Sequence, residues 1–304
     1  MDRQLQIKEN LKIRGRVINA VRNFFYQNNY LEVETPIRTY APAPEENIDA
    51  IASEELFLQT SPELYMKRLL AAGYKKIFQI AKCFRKEERG IKHVPEFTLL
   101  EWYETGEEYI KMMNICENLI SFVAAKTSLP NPFVYQKNRI DISLPWQRIT
   151  VAEAFEKYSD TTVTKALAQD KFDEIMAFEI EPSLNVSKPI FLYDYPAEKG
   201  ALAKKKSGNP AVAERFELYI GGLELCNAFS ELTDKREQTN RFIAERKARK
   251  KAGKPVYPMP DNFLNSLDKM PRACGNALGI DRLVMLFTNS DSIDDVIAFT
   301  PEEL

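Results

Sequence analysis

The sequence predicts an α+β fold in which helices flank an antiparallel sheet. Strand-like segments come in adjacent pairs, over 75–103 and 213–232, and each pair is followed by a helical segment. This order is typical of hairpins in an antiparallel sheet, whereas regular alternation of strands and helices favours a parallel one. With 304 residues, of which 44% are hydrophobic, the chain has enough apolar side chains for a large core. We therefore expect a single catalytic-size domain over 1–304.

The N-terminal half begins with a helix, because apolar residues from Ile13 to Phe25 recur at helical spacing. A short strand in "YLEVETP" ends at Pro36, since proline cannot donate a hydrogen bond to a neighbouring strand. Pro62 after Ser61 marks the first turn of another helix. The predicted elements are a helix over 11–29, that short strand, a helix over 61–73, a hairpin over 75–103 and a helix from about 107 to 126.

The C-terminal half has weaker signals at first. Between 127 and 200, scattered prolines surround an amphipathic stretch at 151–180, and we expect a helical insertion there. The segment 213–232 predicts a hairpin whose tight turn is Gly221-Gly222. A charged helix follows over 234–254. In "CGNALGIDRLVMLF" the glycine spacing predicts a turn that leads into an apolar helix.

Composition excludes several classes of function. The net charge is −2, which disfavours a protein that binds nucleic acid broadly through a basic surface. The start is charged, without the apolar segment of a signal peptide, and long apolar runs are absent from the sequence, so we expect a cytoplasmic protein. The four cysteines lie far apart and the chain has one histidine, which leaves a zinc cluster too few ligands.

The segment "FRKEERGIKHVPEFTLLEWY" joins two apolar strands by a highly charged loop. Because side chains alternate across a strand, Arg85 and Glu87 share one face at the end of the first strand. On the returning strand the matching face carries Phe97, Leu99, Glu101 and Tyr103. The opposite face carries Phe78, Ile80, Phe84, Leu100 and Trp102 and is predicted to be core. The charged face is either a solvated surface with ion pairs or one wall of a site.

The second hairpin favours a site. Its two-residue turn sets Tyr219 opposite Glu224, so Glu217 and Glu224 lie diagonally on one face. Two carboxylates this close are costly unless a cation lies between them, and Mg²⁺ bound to phosphates is a common reason for such a pair. In a straight strand Asn227 and Glu231 would fall on the opposite face, so they join the site only if a bulge intervenes.

Phosphate binding would have to use side chains here. The sequence contains neither GxxxxGK[ST] nor GxGxxG after a strand. If ATP binds, arginines and a metal must hold it on the open sheet. Arg85 and Arg282 are the candidates, because one guanidinium can bind two phosphate oxygens at once. Phe97 offers a stacking face for the base.

Three segments together resemble the motifs of the class II aminoacyl-tRNA synthetases. "RVINAVRNFFYQNNYLEVETP" is similar to the first motif, "FRKEERGIKHVPEFTLLEWY" to the second and "GNALGIDRLVML" to the third. "SPELYMKRLL" and "RFELYIGGLELCNAFSELTD" further resemble the lysyl-tRNA synthetase catalytic domain. The resemblance implies the class II catalytic fold, ATP as substrate, Mg²⁺ as cofactor, and a homodimer formed through the first-motif helix.

Within that family the chain resembles the elongation factor P (R)-β-lysine ligases. Lysyl-tRNA synthetases carry an N-terminal OB-fold domain for the anticodon, whereas the first-motif helix here starts close to the first residue, and we expect no such domain. Ala277 stands where those synthetases have the middle glycine of Gly-x-Gly-x-Gly. The resemblance implies that (R)-β-lysine is activated with ATP and transferred to a lysine side chain of elongation factor P rather than to tRNA.

The resemblance also implies a role for each site residue. Arg85 and Arg282 would be catalytic, and Glu217 and Glu224 would hold Mg²⁺. The implied ATP-binding residues are Arg85, Lys86, Glu87, His93, Val94, Phe97, Glu217, Leu218, Gly279 and Arg282. The implied amino-acid-binding residues are Ser61, Pro62, Glu63, Tyr103, Glu224, Asn227, Glu231 and Ala277, with Glu101 as a further candidate. An acidic pocket suits an amine substrate, and arginines with a metal suit the charge that develops on phosphate.

Two positions depart from the family pattern. Val94 replaces the asparagine that usually follows the histidine, and Ala228 replaces the usual glycine of "NGF". The first change puts a hydrogen bond near the nucleotide in doubt, and neither change removes a charged group.

Three functions remain open from the sequence. The favoured one is the protein-modifying ligase. A truncated lysyl-tRNA synthetase-like activating enzyme would instead aminoacylate tRNA, and a non-catalytic regulatory paralogue would have lost its activating residues, which this chain keeps. The basic runs "KGALAKKKSGNP" and "ERKARKKAGKP" are either solvated surface or contacts to the acceptor.

Overall fold

The computed structural model describes residues 2–184 and 187–304. Its helices are α1 (Asp2–Gln6), α2 (Lys8–Gln27), α3 (Glu63–Ala71), α4 (Tyr109–Thr127), α5 (Val151–Tyr158), α6 (Val163–Ala168), α7 (Phe172–Ile175), α8 (Glu181–Ser183), α9 (Lys235–Lys251), α10 (Asp261–Ser266) and α11 (Ile280–Thr288). A π-helical stretch, Met176–Ile180, joins α7 to α8. Among these residues, no helix combines the length and the apolar character needed to cross a bilayer.

The strands are β1 (Leu31–Glu32), β2 (Arg38–Thr39), β3 (Ala52–Ser53), β4 (Leu56–Leu58), β5 (Lys76–Phe84), β6 (Glu96–Thr105), β7 (Phe133–Tyr135), β8 (Asn138–Ile140), β9 (Gln147–Thr150), β10 (Ile190–Pro196), β11 (Lys205–Lys206), β12 (Asn209–Ile220), β13 (Leu223–Ser230) and β14 (Ala273–Gly279). Within the described residues, nine of them form one sheet in the order β1-β5-β6-β14-β13-β12-β10-β9, with β11 beside β12. The pairs β1–β5 and β9–β10 are parallel and the other pairs are antiparallel. The α+β prediction is confirmed.

One face of the large sheet is covered by α2, α4 and α11. Helix α2 is amphipathic and turns Val17, Val21 and Phe25 toward the sheet, where they are buried. The Phe25 ring stacks on Phe78 of β5 with centroids 4.6 Å apart, and Trp102 of β6 is fully buried in the same core. Burying one such side chain contributes about 1.5–3 kcal/mol. Phe78, Leu100 and Trp102 are core as predicted. Ile80 is half-buried but packs against this core, and Phe84 lies half-buried at the end of β5.

The predicted turn before the last helix is wrong. Residues 273–279 form β14, a central strand paired to β6 on one side and to β13 on the other. Glycine is usually unfavourable in a strand, but it is used where another group approaches the backbone closely. That is the situation at Gly275, as the site shows. The apolar helix that was expected next is α11.

The segment expected to be a helical insertion, 127–200, contains strands as well as helices. Helices α5 to α8 occupy its middle, and they pack in a small apolar core of their own with Phe155 and Phe172 stacked at 5.4 Å. Strands β9 and β10, however, extend the large sheet, and β7–β8 form a separate hairpin. Residues 185 and 186 of this segment lie outside the described part.

Candidate active site

The open face of the large sheet carries a cavity of about 620 Å³ between the two predicted hairpins, β5–β6 and β12–β13. Residues that are far apart in sequence therefore face one space. Among the predicted site residues, those that line it are Ser61, Glu63, Arg85, Glu87, His93, Val94, Phe97, Glu101, Tyr103, Glu217, Glu224, Asn227, Ala277, Gly279 and Arg282.

Four predicted residues do not line this cavity. Lys86 is exposed and extends toward solvent beside a neighbouring carboxylate. Leu218 lies on the other face of β12, in the apolar core, and Pro62 is buried at the start of α3. Glu231 is buried against Gly275, on the face of β14 that Ala277 presents to the cavity, beneath the lining residues. The side chains of Leu218 and Pro62 therefore face away from a ligand, because strand alternation and helix packing direct them into the interior.

The bulge that the site requires is present in the second hairpin. Tyr219 lies opposite Glu224 as predicted, but the register shifts by one residue beyond this pair. The shift reverses the alternation of side chains along β13. Asn227 consequently lies opposite Glu217 and shares its face toward the cavity.

Arg85 follows β5 at the mouth of the charged loop. Its backbone N–H donates to the Pro95 carbonyl oxygen at 2.9 Å, which fixes the start of the side chain. The guanidinium carbon lies 5.0 Å from the Phe97 ring centroid, so one face of that ring is covered. Within the described residues, the buried Nε of Arg85 has no hydrogen-bond partner. An unpaired buried donor is costly, and a phosphate or carboxylate oxygen in the cavity would satisfy it.

Arg282 links α11 to both hairpins. Its Nη2 lies 2.6 Å from His93 Nε2, and its Nη1 donates to the carbonyl oxygen and the carboxylate of Glu224 at 2.8 and 3.1 Å. Although His93 is exposed to solvent on one side, partial desolvation by its neighbours and the positive charge of Arg282 lower its pKa, so the ring is neutral and accepts from the guanidinium. His93 and Arg282, which the resemblance implies to be ATP-binding residues, are therefore in contact with each other.

Glu217 is held by three donors. Its Oε2 accepts from the hydroxyls of Tyr195 and Tyr219 at 2.6 and 2.7 Å, and its Oε1 accepts from Arg215 at 2.7 Å. Burial and the negative charge of Glu224 raise the pKa of Glu217. The carboxylate is thus fixed in orientation while its charge remains poorly compensated.

A third carboxylate, Glu181 of α8, lies near this pair. Burial and the charges of Glu217 and Glu224 raise the pKa of Glu181 to about 7. Over residues 2–184 and 187–304, no group of three His, Cys, Asp or Glu residues has the arrangement of a metal site. Hard carboxylate oxygens suit Mg²⁺, which normally completes its shell with phosphate oxygens and water. The donors therefore fit Mg²⁺ that arrives with phosphates rather than a preformed protein cage.

The other end of the cavity, which Ser61, Glu63, Glu101 and Tyr103 line, is acidic. On α3, Lys67 Nζ lies 2.5 Å from Glu63 Oε1, four residues earlier, and also contacts the Glu231 carboxylate. Glu101 accepts from the Ser61 hydroxyl at 2.5 Å and from the Tyr103 hydroxyl at 2.8 Å. We call Glu63, Lys67, Glu101 and Glu231 the amine end.

The carboxylates of the amine end outnumber its cation. Burial, with the charge of Glu63 adding, raises the pKa of Glu101 to about 8. Burial also raises the pKa of Glu231 to about 8, against the opposing charge of Lys67. Three carboxylates thus face one ammonium in this group, and protons on the buried acids compensate for the missing positive charge. A ligand with an ammonium group would replace those protons.

Gly275 of β14 is required by its neighbours. A Cβ atom at this position would lie 2.3 Å from Tyr103 Cε1 and 2.5 Å from Glu231 Oε1. Both distances are far shorter than van der Waals contact, so a side chain here would displace the groups of the amine end.

Ala277 lies on the same face of β14, two residues further on. It is paired with Glu101 on one neighbouring strand and with Asn227 on the other, and it lines the cavity. Its methyl group therefore forms part of the floor between two residues predicted to bind the substrate.

Sequence reasoning missed Lys67 and Arg215, which pair with carboxylates of this site, and Glu45 and Glu181, which lie at its border. Lys67 could have been found, because it lies four residues after Glu63 on a predicted helix. Arg215 could have been found as well, because it shares a strand face with Glu217 at the next position but one. Glu45 in the proline-rich loop and Glu181 in the inserted helices carry no such signal.

The two basic runs are built into the fold. Lys204 contacts the Glu214 and Glu108 carboxylates at 3.3 and 3.2 Å, Lys205 lies 3.0 Å from Glu237, and Lys206 contacts Asp194. In the second run, the Arg249 side chain is fully buried, which corrects its description as solvated surface or acceptor contact. The lysines of the first run are thus paired within the chain, whereas in the second run, within the described part of the chain, the ion pairs are those of Arg249 and Lys254 with Asp49.

Comparison with known proteins gives one consistent group of relatives. The family model of the class II tRNA synthetases (D, K and N) matches residues 1–303. A lysine–tRNA ligase from Pelotomaculum thermopropionicum is 38% identical, over 97% of this chain and 63% of the relative. Those from Clostridium novyi and Nitrosomonas europaea are 35% and 36% identical, over 96% and 94% of this chain and 63% and 62% of the relative. The chain spans a little under two thirds of the length of these relatives.

Proposed function

The chain belongs to the class II tRNA synthetase family (D, K and N), and we propose that it activates a lysine-like amino acid with ATP to form an aminoacyl adenylate. The observation that carries this proposal is the excess of negative groups at the amine end, where, among the described residues, Glu63, Glu101 and Glu231 lie around the single ammonium of Lys67. A diammonium amino acid supplies the missing cation. An amino acid with an apolar side chain would leave the buried carboxylates without a counter-ion.

The other end of the cavity supports the nucleotide part of the reaction. The substrate carboxylate attacks the α-phosphorus of ATP, and pyrophosphate leaves. The unpaired Nε of Arg85 is available to the carboxylate or the α-phosphate, and Arg282 with His93 is available to the terminal phosphates. Positive groups fixed where charge develops lower the barrier of phosphoryl and nucleotidyl transfer. Glu217 and Glu224 would hold Mg²⁺, which adds positive charge beside the phosphates when it is bound.

The finer proposal concerns the isomer and the acceptor. We infer that the amino acid is (R)-β-lysine and that it is transferred to a lysine side chain of elongation factor P. Support comes from Ala277, whose methyl group lies in the floor between Glu101 and Asn227 where the synthetases that this segment resembles have glycine. β-Lysine carries its amino group one carbon further from the carboxylate, so a raised floor favours a shifted substrate.

Transfer to tRNA is a second candidate. The curated relatives named above are lysine–tRNA ligases, and this observation favours α-lysine and a tRNA acceptor. We also propose a homodimer formed through α2, whichever acceptor is used, because that helix resembles the first motif of the family.

The test is ATP–pyrophosphate exchange with a panel of amino acids, followed by transfer. We expect exchange with lysine isomers and at least about a hundredfold less with leucine, because leucine lacks the second ammonium, that of the side chain. Higher kcat/KM for (R)-β-lysine than for α-lysine, and label transfer to elongation factor P but not to tRNA, would support the finer proposal. Equal exchange with leucine would refute the role of the amine end, and tRNA labelling would favour the second candidate.

A further inference from the structure

A second cavity, of about 1090 Å³, opens beside the first. It lies between the inserted helices α5 and α6, the end of β10 and helix α9. The two cavities share three lining residues, Glu45, Ala201 and Leu202. Among these three, Glu45 is the one with an ionisable side chain, so a carboxylate stands on the boundary between the two spaces.

Hydrogen bonds from helix α9 hold the loop that carries Glu45. The fully buried Arg249 of α9 donates to the Glu45 carbonyl oxygen at 2.7 Å and to Asp49 Oδ1 at 2.6 Å. The Glu46 backbone N–H donates to Glu245 Oε2 of the same helix at 2.7 Å. Several hydrogen bonds from one buried guanidinium hold a loop more firmly than surface contacts do. Glu45 is therefore positioned by the fold although it comes from a proline-rich loop.

The second cavity is lined by more acids than bases. Its acidic residues are Glu45, Asp194, Glu198, Glu237 and Glu245, and its basic residues are Lys205 and Arg241. Both basic residues pair with one of these acids, Glu237, at 3.0 and 2.6 Å. Asp194 is paired with Lys206. The negative charge that remains comes from Glu45, Glu198 and Glu245, and it attracts an ammonium and repels the phosphates of RNA.

We propose that the acceptor enters through this second cavity as a lysine side chain of a protein, and that Glu45 takes the proton from its ammonium. This inference rests on the proposed activation of a lysine-like amino acid in the first cavity. It adds a route for the acceptor and a base for the second half-reaction, in which the amine attacks the adenylate.

The chemistry of Glu45 suits that task. Burial raises the pKa of Glu45 to about 7, with Glu63 and Glu245 adding and with Arg85 and Arg215 opposing. A base whose pKa lies near the working pH takes up and returns a proton efficiently. An exposed glutamate would be too weak a base for an ammonium.

The step balances in protons and electrons. The acceptor arrives as R–NH₃⁺ and gives one proton to the Glu45 carboxylate. The neutral amine attacks the carbonyl carbon of the adenylate, and a C–N bond forms. The bond from that carbon to the phosphate oxygen breaks, and AMP leaves with the electron pair. The nitrogen gives its second proton to water, Glu45 returns the first one to solvent through the second cavity, and an amide remains.

The test separates the two half-reactions in the variant Glu45→Gln. Glu46→Gln is the matched control, because Glu46 is exposed in the same loop and lines neither cavity. We expect both variants to keep wild-type ATP–pyrophosphate exchange, which also shows that they fold. Transfer to elongation factor P at pH 7 should fall about a hundredfold in Glu45→Gln and remain unchanged in the control.

Hydroxylamine provides a second readout that a merely structural role would not change. It is uncharged at neutral pH, so it attacks the adenylate without a base, and Glu45→Gln should form hydroxamate at the wild-type rate. Transfer to elongation factor P by this variant should rise about tenfold for each pH unit, as the neutral fraction of the acceptor amine increases.

These experiments distinguish an error in the role of Glu45 from an error in the proposed function. A wild-type protein without lysine-dependent exchange would refute the proposed function itself. If the wild type exchanges and transfers, wild-type transfer by Glu45→Gln would overturn the assignment of the base. A raised KM for the amino acid in exchange would overturn it as well, because Glu45 would then bind the substrate ammonium. Labelling of tRNA in place of protein would overturn the proposed acceptor.

Discussion

The two ends of the first cavity differ in the charge of the group that would complete their hydrogen bonds and ion pairs. At the end formed by Arg85, His93 and Arg282, which we call the nucleotide end, the buried Nε of Arg85 has no acceptor within the described residues, and an anionic group would satisfy it. At the amine end, burial raises the pKa values of Glu101 and Glu231 to about 8, and a cationic group would lower them again. A molecule with a carboxylate at one end and an ammonium at the other completes both.

The two ends also differ in how firmly the fold holds their side chains. Lys67, Glu101 and Glu231 are at most 2% exposed and are held by strands and a helix. His93 is exposed on the charged loop, and Arg282, which contacts it, is half-buried. The amine end is therefore held in place by the fold, whereas at the nucleotide end Arg282 would have to release His93 and Glu224 in order to bind the phosphates of the proposed ATP.

The largest effect is expected at the nucleotide end, in Arg85→Ala. Removing one oriented charge at the reacting phosphate raises the barrier by about 3 kcal/mol or more, which is roughly a hundredfold or greater loss of rate. The measurement is ATP–pyrophosphate exchange with a saturating lysine isomer. The control is Arg38→Ala, since Arg38 pairs with Glu54 at the surface and does not line the cavity. Near-normal exchange in Arg85→Ala would contradict its placement at the reaction centre.

A more selective effect is expected at the amine end, in Glu101→Gln. The variant keeps an oxygen for the Ser61 or Tyr103 hydroxyl but loses the negative charge. A hydrogen bond to a charged group is worth about 2 kcal/mol, so KM for the amino acid should rise roughly thirtyfold while KM for ATP stays nearly constant.

The matched control for that variant is Glu104→Gln. Glu104 is also buried in β6, but it pairs with Lys76 and accepts from Tyr30, away from the cavity. It should lose stability without a change in KM for the amino acid. Equal shifts of both KM values in Glu101→Gln would show that the two ends are not independent, and the comparison would fail.

The sequence predicted the periodic parts of this molecule well. Apolar spacing predicted α2 and α4, and the Gly221-Gly222 turn predicted the pairing of Tyr219 with Glu224. These features depend on neighbours in the chain. The reversal of faces along β13 depends instead on a register shift against β12, which only the assembled sheet shows.

The wrong and missed predictions likewise concern residues whose positions depend on contacts with distant parts of the sequence. Residues 273–279 read as a turn because glycine is unfavourable in strands, yet the close approach of Tyr103 to Gly275 requires glycine there. Glu45 was missed because its position depends on Arg249, which lies far away in the sequence. Lys86 and Leu218 were assigned by motif position, but Leu218 lies on the core face of β12 and Lys86 lies in the turn after β5 with its side chain exposed. Side-chain partners brought together by tertiary structure remain beyond single-sequence patterns.

A smaller effect is expected at the floor between the two ends, in Ala277→Gly. A methyl-sized change in a pocket is worth roughly 1–3 kcal/mol, and here we expect the lower bound because the site can relax. The ratio of kcat/KM for α-lysine to that for (R)-β-lysine should rise about tenfold, with little change for β-lysine itself. An unchanged ratio would leave Ala277 a structural residue and would remove the support for the β isomer.

The smallest effect is expected in the stability of the free protein, and it comes from the amine end alone. The pKa of Glu101 rises from an ordinary value of 4.5 to about 8 on folding. Between these two values the folded state holds a proton that the unfolded state has lost, so stability falls as pH rises through this window. Glu231 contributes in the same direction.

Thermal unfolding of the wild type and of Glu101→Gln, from pH 5.5 to 8.5, tests this prediction. Other buried acids with raised pKa, including Glu45 and Glu181, add to the slope in both proteins. The difference between the two curves therefore isolates Glu101, and we expect Tm to fall a few degrees less in the variant. A saturating lysine isomer should flatten the wild-type curve, because its ammonium lowers the pKa of the same carboxyl and removes the need for a proton. Identical slopes with and without the ligand would mean that protons do not stand in for a substrate cation at this end of the cavity.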